Sequence, residues 1–240
     1  MSEKFVKTLQ KRSRDLGVEL TNAQARIFFS YGEMLAEANH TTNLTAISKE
    51  DYINEHFVDS LTLIGTEKIT DRARVADIGA GAGFPGLAVK IVKPIDLYLI
   101  EPNAKKSMFL EKLIDELGID GAKVIKARAE TVGRDADIRE KMDVVIARAV
   151  AGLPVLLEYA LPLLRTGGWF LAMKGSRFKE ELKQAQSACL ELGARVDSVF
   201  EPWGADAQEG RVIIQIQKTE KTKNRYPRRT GVPTKRPLGD

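Results

Sequence analysis

Residues 77–86 read DIGAGAGFPG, and glycines at this density let the backbone come close to a bound ligand. Two ligand chemistries fit the spacing. Gly79, Gly81 and Gly83 behind Asp77 match the acidic loop that receives S-adenosylmethionine (SAM). Gly81, Gly83 and Gly86 match the dinucleotide pattern that holds a pyrophosphate at a helix N-terminus. Charge separates them. A carboxylate at a strand end repels pyrophosphate but suits the ammonium and sulfonium of SAM. No Lys or Arg occurs between Arg74 and Lys90, and no GK[ST] follows, so a phosphate loop is excluded. Pro85 starts a helix just after Phe84 and puts the dinucleotide spacing out of register. The loop is therefore read as a SAM site, with Asp77, Gly79 and Gly81 as cofactor residues.

Further residues extend this site. Glu101, in LYLIEPNAKK, lies 24 residues after Asp77, where an acidic residue receives ribose hydroxyls in either cofactor class. Arg148 follows MDVVIA at a strand end, where its charge needs a partner. It is the candidate catalytic residue, orienting the substrate from the mouth of the sheet through the cofactor or a phosphate. The alternative is a structural salt bridge to Glu101 or Glu130. No general base is in evidence. His40 and His56 fall in the helical N-terminal part, and His56 reads as a packed or capping histidine. The single cysteine, Cys189, sits at helical spacing in QAQSACLELG and reads as a buried thiol.

These residues need a sheet to hold them. ARVADI, IDLYLIE, AKVIKA, MDVVIA and GWFLAM are candidate strands. PGLAVKIV, NAKKSMFLEKLIDELG, AGLPVLLEYALPLL and RFKEELKQAQSACLELG are candidate crossover helices. Such alternation implies a parallel sheet covered on both faces. RVDSVFEPW and RVIIQIQK follow with no helix between them and predict a closing antiparallel pair. The fold class is α/β, a seven-stranded Rossmann-like methyltransferase sheet over residues 66–218. Residues 1–65 form a helical extension. A Thr21/Gln24 capping box opens one helix there, with Ile27, Tyr31, Met34, Leu35 and Ala38 on its apolar face. Residues 49–64 are expected to form a second helix aligning Ile53, Phe57, Leu61 and Ile64.

Taken together, these segments resemble the bacterial small-subunit ribosomal RNA guanine-N7 methyltransferases, the glucose-inhibited division protein B family. The resemblance rests on NLTAI (43–47), HFVDSL (56–61), DIGAGAGFPG, KARAE (126–130), ARAV (147–150), MKG (173–175) and YPRRTGVPTKRPL (226–238). Glu101 stands where relatives often have Asp, which keeps the carboxylate. The resemblance implies SAM-dependent methylation of the N7 of a guanine in the decoding-region loop of 16S rRNA. It places cofactor contacts on Gly79, Phe84, the segment after Glu101 including Asn103, Ala129, Glu130 and Arg148. N7 carries a free lone pair and loses no proton on methylation, which agrees with the missing base. The expected partner is 16S rRNA or the small ribosomal subunit, with no metal and a monomeric enzyme.

Charge is unevenly spread along the 240 residues. Residues 218–240 carry eight Lys/Arg against two acids, whereas the rest of the chain is net −2. Residues 219–240 are therefore expected to run as an extended basic arm. Arg228 and Arg229 would meet RNA there, and Tyr226 would stack on a base. Arg128, Lys174 and Arg211 are further candidates for holding the RNA backbone. The start of the chain has no apolar signal-like region, and no 18-residue apolar run occurs, so a cytoplasmic protein is expected. Two rivals remain. One is a SAM methyltransferase of a non-RNA substrate. The other is an RNA-binding ribosome-assembly factor with a vestigial SAM site, which fails to be stabilised by SAM. An NAD dehydrogenase ranks third.

Overall fold

The computed structural model describes residues 2–203 and 210–239; Met1 and Asp240, which end the two terminal segments, lie outside them. Seven strands form one sheet in the order β3-β2-β1-β4-β5-β7-β6. They are β1 (Arg74–Ile78), β2 (Asp96–Ile100), β3 (Ala122–Ile125), β4 (Met142–Arg148), β5 (Leu164–Lys174), β6 (Ala194–Phe200) and β7 (Val212–Lys218). β1 to β5 pair in parallel, and β7 runs antiparallel to β5 and β6, as the two helix-free final segments require. The strand order reverses between β1 and β4, where Asp77 pairs with Ile146 and Ile78 with Ala147. Open α/β sheets bind ligands beyond the carboxyl ends of their strands at such a point.

The helices are α1 (Ser2–Arg14), α2 (Asn22–Asn39), α3 (Asp59–Leu61), α4 (Gly86–Val92), α5 (Ala104–Glu116), α6 (Ala129–Val132), α7 (Leu153–Ala160), α8 (Phe178–Glu191) and α9 (Val232–Lys235). Alternation along each strand divides the core. Val75, Leu97, Leu99, Val144 and Ile146 face one side, while Ala76, Ile78, Val145 and Ala147 face the other. The first side is filled by α4 and α5 together with the N-terminal helices. Leu9, Phe28, Tyr31, Leu35, Phe57 and Leu61 are fully buried in that same core. At about 1.5–3 kcal/mol for each large apolar side chain removed from water, the N-terminal segment is held by the sheet it covers. The second side takes α7 and α8 with Cys189, whose thiol pKa burial pushes up to about 12.

Helix α2 begins with the expected capping box, in which the Thr21 hydroxyl accepts from Gln24 N–H and the Gln24 side chain accepts from Thr21 N–H. The next segment departs from expectation. Residues 49–64 are not one α-helix but a 3-10 turn (Lys49–Asp51), a π-helical turn (Ile53–Val58), the short α3 and a second 3-10 turn (Thr62–Thr66). Phe57 and Leu61 are buried as the spacing implies, but Ile53 and Ile64 are only partly so. The wide turn, in which Asp59 N–H reaches back to Asn54 O, brings Glu55, His56 and Asp59 to the mouth of the sheet. Single π turns are typical of sites where a side chain must be re-aimed.

The tail corrects a second expectation. Residues 222–239 do not run as a free arm. Tyr226 is buried and its hydroxyl donates to Glu191 Oε1, so it is not placed to stack on a base. Arg139 donates to the carbonyls of Thr222 and Tyr226, and Pro233 is buried at the start of α9. Arg228 grips Glu158 through Nε and Nη2 at 2.6–3.0 Å, and its backbone N–H adds a further bond. The Glu158 side chain is fully buried in the otherwise apolar α7. A buried carboxylate must be paired, and the tail supplies its partner.

Candidate functional site

The glycine loop closes the end of β1. Gly79 has φ 69° and donates to Ile100 O at 2.8 Å. A Cβ there would lie 2.7 Å from Val150 Cγ2, so both conformation and space call for glycine. At Gly81, by contrast, a Cβ would meet only Gly79 O at 3.7 Å. Asp77 is fully buried, and its Oδ2 accepts from Gly86 N–H at 2.8 Å. Its Oδ1 has no hydrogen-bond partner. Burial raises the Asp77 pKa to about 7; the Gly86 bond and Arg148 pull it down, and Glu101 pushes it up. A carboxyl in that condition gains from a cation placed beside it.

Glu101 is also buried, and each oxygen takes a backbone N–H: Oε2 from Gly81 at 2.9 Å and Oε1 from Asn103 at 2.8 Å. It ties the glycine loop to the turn after β2. The Asn103 side chain caps α5, its Oδ1 accepting from Lys105 and Lys106 N–H. Ala129 and Glu130 open α6 beyond β3, both buried, with Glu130 Oε1 accepting from Gly231 N–H at 2.9 Å. Asp77, Gly79, Gly81, Glu101, Asn103, Ala129 and Glu130 thus gather at the carboxyl ends of β1, β2 and β3.

Arg148 ends β4, but its partner is neither Glu101 nor Glu130. Its Nη1 donates to Asp59 Oδ2 at 2.7 Å and to Glu55 O at 3.0 Å, and its Nη2 faces His56 Nδ1 at 3.2 Å. Because Nδ1 faces a donor, it accepts, so the ring proton sits on Nε2 and is given to Thr45 Oγ1 at 2.8 Å. Burial, with the Arg148 charge second, pushes the His56 pKa down to about 3. The imidazole stacks on Phe84 at 4.4 Å and 9°, and Phe84 stacks in turn on Tyr31 at 5.0 Å and 4°. The Arg148 guanidinium lies 5.3 Å from the Phe84 ring centre. Arg211 closes the cluster, donating to Asp59 Oδ1 at 3.2 Å and to Glu55 Oε2.

A cleft of about 810 Å³ opens beside these groups, lined by His56, Asp59, Arg148, Lys174, Arg211 and the loop 149–152. It lies next to the glycine loop rather than over it, and Val150, partly exposed, stands between the two. Lys174 lines this cleft with its ammonium turned inward, donating to Ala151 O and Glu181 Oε2, both at 2.7 Å. Arg128 and Arg229 are exposed, and neither side chain donates a hydrogen bond among the described residues. His56, Glu55, Asp59 and Thr45 complete the site; from the sequence only His56 carries a candidate role, as a packed or capping histidine or, second to that, a substrate contact. The available signal was NLTAI and HFVDSL, two motifs near the chain start whose polar residues meet here.

The family model described as GidB, rRNA small subunit methyltransferase G, matches residues 24–206. Proteins named ribosomal RNA small subunit methyltransferase G are similar along almost the whole chain. The one from Desulfitobacterium hafniense is 46% identical over 93% of this chain and 93% of its own length. The one from Pelotomaculum thermopropionicum is 42% identical over 98% and 99%. Among solved structures, a variant of MtNAS in complex with S-adenosylmethionine aligns with TM-score 0.56 and 17% identity, covering 90% of this chain and 78% of that one. M. jannaschii TYW2 in complex with AdoMet aligns at 0.50 and 16%, covering 64% and 75%. At such identities these two likenesses speak for the fold.

Proposed function

The chain belongs to the GidB family of rRNA small subunit methyltransferases, and from that premise we propose that it methylates the N7 of a guanine in the decoding-region loop of 16S rRNA, using SAM. The residues at the sheet mouth fit that cofactor. Asp77 offers a buried oxygen with no partner, and Gly81 leaves open space beside the loop. Asp77, Gly79, Gly81, Phe84, Glu101, Asn103, Ala129, Glu130 and Arg148 would hold it. Bound SAM supplies a methyl group already activated by the sulfonium. The chain's own task is to bind, align and exclude water.

The observation that carries the reaction type is the condition of His56. It stands beside the cleft, yet both nitrogens are engaged and its pKa is about 3, so it does not accept a proton near neutral pH. N7 of guanine needs no base. Arg148 uses three of its five N–H groups on Asp59, Glu55 and His56. The remaining two suit O6 or a phosphate, leaving N7 free to react. Arg128 and Arg229 supply exposed charge for the RNA backbone. Among the described residues no helix is long and apolar enough to cross a membrane, and action on rRNA in the cytoplasm by a monomer completes the proposal. The test is mass spectrometry of small-subunit rRNA nucleosides with and without the protein. Loss of one 7-methylguanosine on deletion is expected, and an unchanged level sinks the assignment.

A further inference from the structure

The tail reaches the residues that follow β3 through Gly231. Gly231 N–H donates to Glu130 Oε1 at 2.9 Å, across 101 residues of sequence. Glu130 is buried where β3 passes into α6. Three residues further along, Thr234 Oγ1 lies 3.0 Å from the Tyr159 hydroxyl, whose pKa is raised by burial and in part by Glu130. Gly231 has φ 81°, and a Cβ there would meet nothing within 4 Å. Conformation rather than space demands glycine at this position. Upstream, the Arg228–Glu158 pair latches the segment to α7.

We infer that residues 226–234 form a strap whose Gly231 N–H positions the Glu130 carboxyl for the nucleoside end of the cofactor. Affinity for the cofactor thereby depends on the C-terminal segment. The inference rests on the reading that Glu130 borders SAM. Gly231 and Arg228 are positioning residues, since neither needs to touch the ligand. Glu130 without Gly231 keeps a buried carboxyl with one fewer donor and more freedom to turn away, so the pocket loses its preformed shape.

Calorimetry of the full-length chain with S-adenosylhomocysteine tests this, using Gly231→Val, Glu130→Ala and the double variant. Valine resists φ near 80° and displaces the N–H, while its Cβ enters open space. Gly231→Val is expected to weaken binding at least fivefold. In methylation assays it raises the KM for SAM while the KM for rRNA and kcat at saturating SAM stay within twofold. The double variant is expected to bind no more weakly than Glu130→Ala alone, because both act through one contact. Gly231→Val binding within twofold of wild type overturns the strap, as do losses that multiply in the double variant. A wild-type chain that takes up no S-adenosylhomocysteine refutes the cofactor reading itself, and the strap with it. If Gly231→Val melts below the assay temperature, the pair Arg228→Met and Glu158→Met frees the strap without leaving a buried charge, and the same readouts decide.

Discussion

Arg148 Nη1 and Asp59 Oδ2 meet at 2.7 Å, joining the end of β4 to the first residue of α3, just past the π-helical turn of the N-terminal segment, across 89 residues. Both side chains are mostly buried, and Asp59 also accepts from Arg211. Arg148 is therefore held from the N-terminal side, in a cleft whose other walls come from loop 149–152, the ends of β5 and β7, and α8. Its orientation depends on that carboxylate, with Glu55 O and His56 Nδ1 as further partners.

Arg148→Ala should lower kcat for rRNA methylation strongly, and a loss within about twofold, under 0.5 kcal/mol, would refute its role. Asp59→Ala should act through Arg148 and lower kcat by about tenfold, near 1.4 kcal/mol. Asp59→Asn, which keeps one acceptor, should recover part of that loss. Rates are to be read at saturating SAM, with melting curves to separate misorientation from unfolding. Equal rates for Asp59→Ala and wild type would show that Arg148 needs no such support.

His56 makes stability depend on pH with a defined sign. Its folded pKa of about 3 lies below the unfolded value of 6.5, so the native state binds fewer protons. The stability tied to neutral His56 is complete above pH 6.5 and drains as pH falls from there towards 3. Asp77 runs the other way. Its folded pKa of about 7 lies above the unfolded 3.8, so its contribution is complete below 3.8 and is lost as pH rises to about 7. The two must therefore be separated by variant. Denaturant titrations of wild type and His56→Gln should diverge between pH 6.5 and 3, the wild type losing more. Parallel curves would place a proton on His56 in the fold.

Asp77 predicts the pH dependence of binding. A cation beside the carboxyl favours its ionised form, so SAM uptake should release a proton from Asp77 below pH 7. Affinity should rise as pH goes from 6 to 8, by at most about tenfold per unit. Asp77→Asn should flatten this slope and weaken SAM at pH 8. A slope that survives in Asp77→Asn would assign the proton elsewhere.

The sheet and the glycine loop were legible because their signals are local. β-branched runs such as VADI and MDVVIA mark strands, and DIGAGAG needs positive φ at Gly79, Gly81 and Gly83. The cluster around Arg148 was not, since its carboxylate comes from 89 residues away and periodicity at Ile53, Phe57 and Leu61 reads as plain α-helix. A π turn adds one residue without changing which types are apolar. The tail misled for a different reason. Its composition is basic and polar, yet Glu158, a lone carboxylate in LPVLLEYALPLL, could not stay buried without a cation. That residue was the readable sign that an arginine must come back onto the domain.

The same pair turns the charge of the tail into a testable division. Arg228 is spent on a fully buried carboxylate, whereas Arg229 beside it is exposed. Arg228→Ala leaves Glu158 charged and unpaired inside the fold, at a cost of about 3 kcal/mol or more. For a chain of this length that lowers Tm by roughly 6–12 °C. Arg229→Ala should leave Tm within about 1 °C, a surface change. Its effect should appear in RNA binding instead. Removing one phosphate contact reduces the slope of log affinity against log salt by about 0.7–0.9. Arg128→Ala, two residues before Glu130, should do the same, and the double variant should lose both increments. Melting scans and RNA titrations at three salt concentrations read out both halves. An Arg229→Ala chain with an unchanged salt slope would leave the exposed face of the strap without a role in RNA binding. An Arg228→Ala chain with unchanged Tm would mean that Glu158 takes up a proton when its arginine is gone.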